Sequence, residues 1–222
     1  MRSTIVYVQS QKLCNDFENR PNFHWFPNAR DITSPEIVRK EKVQKLLFLS
    51  HLRMDKGLGE TLEACRFLPE HCHLDVFGSP MSDTDFSLFD DHPSATYGGV
   101  LSPEDVPMIL CESDLVLLPS YYEGEGYPGV LIEAFQCGLP VIASRWRVIP
   151  EVVTNEECGL LVEPRSASNL RAAIERLLED PDLYRKLCEG AQRRGEYFRS
   201  GPWYNQMAAS LNKLVPEKSQ YN

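Results

Sequence analysis

Two glutamates, Glu125 and Glu133, flank a turn rich in glycine and proline within PSYYEGEGYPGVLIEAFQCGLP, residues 119–140. Pro128 and Gly129 lead into an amphipathic stretch that reads as a helix to about residue 137, with Gly138 as its left-handed cap. Glu125 then precedes a helix N-terminus, and Glu133 lies one turn beyond Gly129 on the same face. Unpaired N–H groups and the helix dipole at such an end form an anion site, most often occupied by phosphate. Carboxylates repel phosphate but accept well from sugar hydroxyls. A diphosphate with a sugar on one side and a ribose on the other satisfies both kinds of group. Arg53 and Lys56, in a loop upstream, are the cations available to oppose the phosphates. A plainer reading stands beside this one: Glu133 pairs with a basic residue of a neighbouring helix, and Glu123 and Glu125 are solvated loop charges.

The elements that must position these residues follow from the apolar pattern. Short apolar runs at 46–49 (LLFL), 74–77 (LDVF), 95–97 (ATY), 115–118 (LVLL), 141–143 (VIA) and 159–162 (GLLV) read as strands. Near-continuous rather than alternating hydrophobicity suits strands covered on both faces. Helices are expected over 57–67, from Pro103 onward, over 128–137, from the cap Ser166 to Asp180, from Pro181 to about Phe198, and from Pro202. Strands alternating with helices predict an α/β fold, a doubly wound, Rossmann-like parallel sheet with a helical C-terminus. Ligands of such sheets bind outside the carboxyl ends of the strands. The segments 50–57, 78–80, 98–101 and 121–129 are therefore the candidate site. The first forty residues break the rhythm, with strand-like runs at 5–8 and 23–26 and a turn at Pro27-Asn28. The division expected is a remnant of a preceding domain with its hinge, 1–40, and a ligand-binding domain, 41–222.

Composition excludes several classes. A net charge of −9 argues against a nucleic-acid partner. No apolar run approaches the roughly 18 residues of a membrane span, and the N-terminus has too short an apolar core for a secretory signal. The expectation is a cytoplasmic protein, with peripheral contact at the inner membrane face left open. Seven scattered cysteines without CxxC spacing suggest reduced thiols, not a disulfide frame or a zinc cage. His71-Cys72-His73 has no further ligands at a metal spacing, and Asp83-Thr84-Asp85 is a short acidic pattern in a polar loop.

The run from Glu125 to Ala134, followed by Cys137-Gly138-Leu139-Pro140-Val141-Ile142-Ala143, resembles the E-x7-E signature of family-4 retaining glycosyltransferases of the GT-B fold. Leu52 with Lys56-Gly57 is similar to that family's L-x-x-x-K-G loop, and Pro27-Asn28-Ala29-Arg30-Asp31 to its interdomain PNGVD hinge. The strand and turn at 159–164 match as well, so the resemblance spans about residues 23–198. It implies the C-terminal, donor-binding half of a GT-B enzyme that transfers a hexose from a UDP- or GDP-sugar with retention. Glu125 would be the catalytic residue facing the donor hexose, and Glu133 would bond the ribose hydroxyls. Lys56, with Arg53, would contact the donor phosphates, together with backbone N–H groups around Gly129, Val130 and Leu131. Gly126 and Tyr127 would complete the donor loop, and the backbone of Gly99 and Val100 would meet the base. No metal or other cofactor is expected, since the helix dipole and basic residues balance the leaving diphosphate. Bacterial surface polysaccharide assembly is the usual setting of the family.

Two departures from the family pattern bear on that expectation. His51 stands where the family has an arginine, and the N-terminal acceptor domain of a full GT-B enzyme is missing, so an acceptor domain or separate subunit is the partner expected. A second reading is a non-catalytic nucleotide-sugar-binding or interaction module, which an exposed apolar face around residues 5–8, Trp25, Phe26 and Trp203 would favour. A third is an epimerase-like protein that also needs a second domain.

Overall fold

A computed structural model describes residues 4–17, 20, 22–33, 41–82 and 84–212. Six parallel strands form its main sheet: β3 (Lys45–Leu49), β4 (His73–Phe77), β5 (Ala95–Gly99), β6 (Leu115–Leu118), β7 (Val141–Ser144) and β8 (Gly159–Val162). A two-stranded parallel sheet of β1 (Val6–Val8) and β2 (Phe23–Trp25), joined through α1 (Gln11–Asp16), precedes it. The main sheet runs β5-β4-β3-β6-β7-β8, so the strand order reverses between β3 and β6. That reversal opens a crevice at the carboxyl ends of the two central strands, where ligands of doubly wound sheets bind.

Apolar strands are covered on both faces because successive side chains point to opposite sides. Leu46 and Phe48 of β3, and Leu115 and Leu117 of β6, pack on one face with α2 (Leu58–Cys65) and α6 (Ala167–Glu179). Leu47, Val116 and Leu118 pack on the other with α3 (Val106–Glu112), α4 (Gly129–Gln136) and α5 (Ile149–Val152). The helix α7 (Pro181–Tyr197) contributes to both, through Tyr184 and Leu187 on one side and Ala191 on the other. Asp114 secures the strand starts, its Oδ2 accepting from the backbone N–H groups of Gln44 and Lys45 at 2.8 Å each.

Two details differ from the sequence expectation. Pro103 lies in a turn, and α3 begins at Val106 with its proline, Pro107, in the first turn. The last helix, α8 (Ser200–Asn212), starts two residues before Pro202, which fits inside its first turn, where a missing N–H costs nothing. The aromatic face whose exposure would have favoured the interaction-module reading packs within the chain: Trp25 meets Trp203 edge-on at 4.9 Å, and Phe26 meets Tyr204 at 5.8 Å. Burial of these rings against α8 ties β1 and β2 to the main body, reinforced by a hydrogen bond from the Tyr7 hydroxyl to the Met207 carbonyl. Asp83, part of the acidic pattern, residues 34–40 of the charged stretch and residues 213–222 lie outside the described residues. No helix among the described residues is long and apolar enough to cross a membrane.

Candidate functional site

The loops after β3 and β6 meet over the switch point, and their backbones interlock. Gly57 adopts a left-handed conformation (φ 83°) directly under Pro119, where a Cβ would come within 2.5 Å of the Pro119 carbonyl oxygen. Tyr121 N–H donates to the Asp55 carbonyl at 2.8 Å. This packing brings Lys56 to Glu125. The ammonium donates to both carboxylate oxygens, at 3.0 and 2.9 Å, with side-chain exposures of only 13% and 7%. The Ser120 hydroxyl donates to Glu125 Oε2 as well. Glu125 is thus a carboxylate held nearly dry by one cation and one hydroxyl, which fixes its orientation.

Arg53 approaches the same loop but is engaged by Asp55, with Nε–Oδ1 2.7 Å and Nη2–Oδ2 2.6 Å. The guanidinium beside Asp55 holds its carboxyl below the usual range. Both Arg53 and Lys56 also lie over the Tyr122 ring, at 4.8 and 4.6 Å from its centroid, a cation–π arrangement that concentrates positive charge on one aromatic face. Trp146 holds the loop backbone there, its Nε1 donating to the Tyr122 main-chain carbonyl at 2.9 Å.

Glu133 occupies the second turn of α4, and Arg30 reaches it from the segment before the main sheet, Nη1–Oε1 2.5 Å. That segment is laid along α4. Asn28 Nδ2 donates to the Tyr127 carbonyl at 3.1 Å, Gln136 Nε2 donates to the Arg30 carbonyl, and Ile32 N–H donates to Gln136 Oε1 at 3.0 Å. No side chain among the described residues caps α4, whose N-cap residue is Pro128. Its first N–H groups therefore lie where an incoming anion can meet them.

An open cleft of about 440 Å³ lies against this helix end. Leu49, Ser50 and His51 line it after β3, Gly78 and Ser79 after β4, and Val100 and Leu101 after β5. Val106, Gly129, Val130 and Arg30 complete the wall. Gly78 (φ 148°) lets two strand ends touch, since any Cβ there would overlap the Ser50 carbonyl oxygen. Gly99 (φ 91°) closes β5, with its carbonyl accepting from Gly78 N–H at 2.9 Å, while Val100 stands 62% exposed on the cleft rim.

The expected site residues fall into two groups. Glu125, Lys56, Gly129, Val130, Glu133, Gly99, Val100 and the exposed Gly126 lie on the loops and helix end around the switch point. Tyr127 and Leu131 turn their side chains inward. Tyr127 is buried, packs edge-on to Phe198 and donates its hydroxyl to Glu151 Oε2 at 2.8 Å, and burial raises its pKa. Leu131 belongs to the core, and its N–H is occupied by the Pro128 carbonyl at 3.2 Å. Reasoning from sequence missed Arg30 and Ser120 as parts of the site, while Tyr122 lay within the candidate segment 121–129 without a named role. Ser120 carried a usable signal, being a hydroxyl directly after the apolar strand that ends at Leu118. Arg30 carried none, because its partner is 103 residues away.

Sheet order, crevice and uncapped helix end define a doubly wound, Rossmann-like α/β fold with its candidate site at the switch point. The model of the Glycosyl transferases group 1 family matches residues 29–194, and the chain belongs to that family. Among curated relatives, the amylovoran biosynthesis glycosyltransferase AmsK of Erwinia amylovora is 28% identical over 183 residues, 77% of this chain and 45% of that protein. The chain spans less than half the length of the first curated relatives it matches. A crystal structure of Anabaena HepE in complex with UDP superposes with a TM-score of 0.82 at 22% identity, over 95% of this chain and 64% of that one. The C-terminal domain of the Francisella tularensis group 1 glycosyl transferase LpcC aligns with a TM-score of 0.63 at 23% identity, over 69% of this chain and 85% of that domain. At these identities the structural matches establish the shared GT-B-type fold.

Proposed function

We propose that the chain is the donor-binding half of a retaining glycosyltransferase, taking a UDP- or GDP-hexose in the cleft beside α4. The observation that carries this reading is the placement of Glu125 and Glu133 on either side of the uncapped α4 N-terminus, with the cleft open at Gly129 and Val130. The diphosphate lies at the helix end, and each glutamate accepts hydroxyls, Glu125 from the hexose and Glu133 from the ribose. Val100 and the Gly99 backbone border the base. As the bond from the anomeric carbon to the diphosphate breaks and the bond to the acceptor oxygen forms, negative charge accumulates on the leaving phosphate, which takes up the acceptor hydroxyl's proton. The α4 dipole and the Lys56 ammonium stabilise that charge without a metal. Ser120 and Lys56 hold the Glu125 carboxylate beside the transferring sugar. The acceptor comes from an N-terminal domain or a separate subunit, and likeness to amylovoran and other polysaccharide enzymes supports a carbohydrate acceptor.

Calorimetric titration with UDP and with GDP tests the reading. Saturable binding of one nucleotide is expected, and its loss in a Lys56→Ala, Glu133→Ala double variant assigns it to this cleft. Failure of both nucleotides to bind at millimolar concentration would remove the reading.

A further inference from the structure

We infer that Arg30 is a phosphate-contact residue held in reserve: it rests on Glu133 while the cleft is open and passes to the diphosphate when a donor enters. The inference rests on the nucleotide-sugar reading above and adds a residue and an exchange of partners to it.

Four observations point the same way. Among the described residues lining the cleft, Arg30 is the one lysine or arginine. The other basic side chains nearby lie outside the cleft's lining, Lys56 on both oxygens of Glu125 and Arg53 on both oxygens of Asp55. Next, the guanidinium lies directly on Gly129, the first residue of α4, where any Cβ would overlap Nη1. A cation at the N-terminal end of a helix is on the wrong side of the dipole. Glu133 compensates only in part, from one turn further in, and an anion at the helix end would satisfy the cation and the dipole together.

The third observation is the hydrogen-bond valence of the guanidinium. Nη1 is used on Glu133 and Nη2 on Asn28 Oδ1 at 3.0 Å, but Nε is buried with no partner among the described residues. A buried N–H without an acceptor costs free energy, so the resting pose is not the one in which this group is best satisfied. The fourth is the anchoring of the main chain. Arg30 N–H donates to the Phe198 carbonyl at 3.2 Å, and its own carbonyl accepts from Gln136. The side chain can therefore change partner while the backbone stays on α4. The exchange also frees the Glu133 carboxylate, which then accepts ribose hydroxyls in place of the guanidinium. Planar guanidinium groups suit phosphate as well as carboxylate, so the handover loses no geometry.

The test compares nucleoside with nucleoside diphosphate on the full chain. Affinities of uridine and UDP, or of guanosine and GDP if guanine is the preferred base, are measured for wild type, Arg30→Gln and Arg30→Lys. A hydrogen bond to a charged group corresponds to about tenfold to a hundredfold in affinity. Arg30→Gln is expected to weaken the diphosphate by that factor and the nucleoside by less than about twofold, with partial recovery in Arg30→Lys. Equal weakening of both ligands would mean that Arg30 only orients Glu133, and would overturn the inference. An unchanged diphosphate affinity would overturn it as well. Glu133→Gln keeps Arg30 and supplies a second test should Arg30→Gln fold poorly. Its ratio of diphosphate to nucleoside affinity is expected to equal or exceed that of wild type, and a lower ratio contradicts the exchange. Absence of UDP and GDP binding by the wild type would remove the donor-site reading itself, so the two failures are distinguishable.

Discussion

Two cavities of nearly equal size lie on opposite sides of the main sheet's design. The cleft at the carboxyl ends of the strands measures about 440 Å³, and a groove between α2 and α6 about 410 Å³. The cleft is lined by residues at the strand ends and the start of α4, among them Gly78, Gly129, His51 and one arginine. The groove is lined by side chains: Val43, Ala64, Leu68, Ile174 and Leu178 below, Lys42, Glu175 and Glu179 at the rim, and Arg171 3.9 Å from the centroid of the exposed Phe67 ring. Volume does not separate them, but lining does. Glycine lets a ligand approach backbone N–H groups and a helix end, whereas the groove offers only the seam between two packed amphipathic helices. The charged pairs differ in the same sense. Lys56–Glu125 is nearly dry, whereas Arg171–Glu175 is solvated, with side-chain exposures of 41% and 45%. A dry pair depends on both partners, and a solvated one tolerates loss of either.

The largest effect expected is at Gly78, where the cleft depends on an absent side chain. An alanine Cβ would overlap the Ser50 carbonyl oxygen in a backbone conformation (φ 148°) that only glycine adopts readily. Gly78→Ala should cost more than about 3 kcal/mol, a loss on the order of 10 °C in melting temperature for a domain of this size. A melting temperature within about 2 °C of wild type would show that strand-end contact does not hold the cleft.

Removing the cation under Glu125 ranks next. Lys56→Met leaves a carboxylate that is 7% exposed with only the Ser120 hydroxyl as partner, and the expected loss is about 2–4 kcal/mol. The double variant Lys56→Met, Glu125→Gln should recover most of that stability, because the penalty is the unpaired charge and not the missing contact. Chemical denaturation of the two single variants and the double variant measures the coupling. Additive losses would put this pair in the same category as the solvated pairs of the groove.

The difference between these regions was legible in sequence to different depths. The strands were readable because each is a short apolar run, whereas their order and register were not, since nothing in such a run names its neighbour. The bounds of α4 were readable from Pro128 and Gly138, one fixing the entry and the other adopting φ 72° at the exit. The start of α3 was misread because Pro103 and Pro107 are equivalent as signals, and only the turn at 103–105 decides between them. The helices α1 and α5, six and four residues long, are too short to show a period. Lys56, Glu125 and Glu133 could be named from their loops, but which cation meets which carboxylate could not. Arg30 meets Glu133 across 103 residues, through a segment that lies on α4 for reasons spread over Asn28, Ile32 and Gln136. Tyr127 read as part of an exposed Gly/Pro loop. Its burial is set by Glu151 and Phe198, which lie far along the chain.

The smallest effect is expected in the groove, where it sharpens the contrast most. Arg171→Ala removes both the stacking on Phe67 and the solvated pair with Glu175, together about 0.5–1 kcal/mol at an exposed position. Nucleotide affinity should be unchanged, because the groove and the cleft share no lining residue and meet opposite ends of β3 and β4. Phe67→Ala should cost a similar amount, and the double variant no more than the larger single loss, since the two side chains mainly serve each other. The informative comparison is between columns of one experiment, with melting temperature and UDP affinity measured on the same protein. A groove variant that changes affinity without changing stability would mean that α2, which follows the Lys56 loop directly through Gly57, transmits strain from the groove to the cleft. A variant that changes only stability, and by this little, leaves the cleft's chemistry with the loops that cross the switch point.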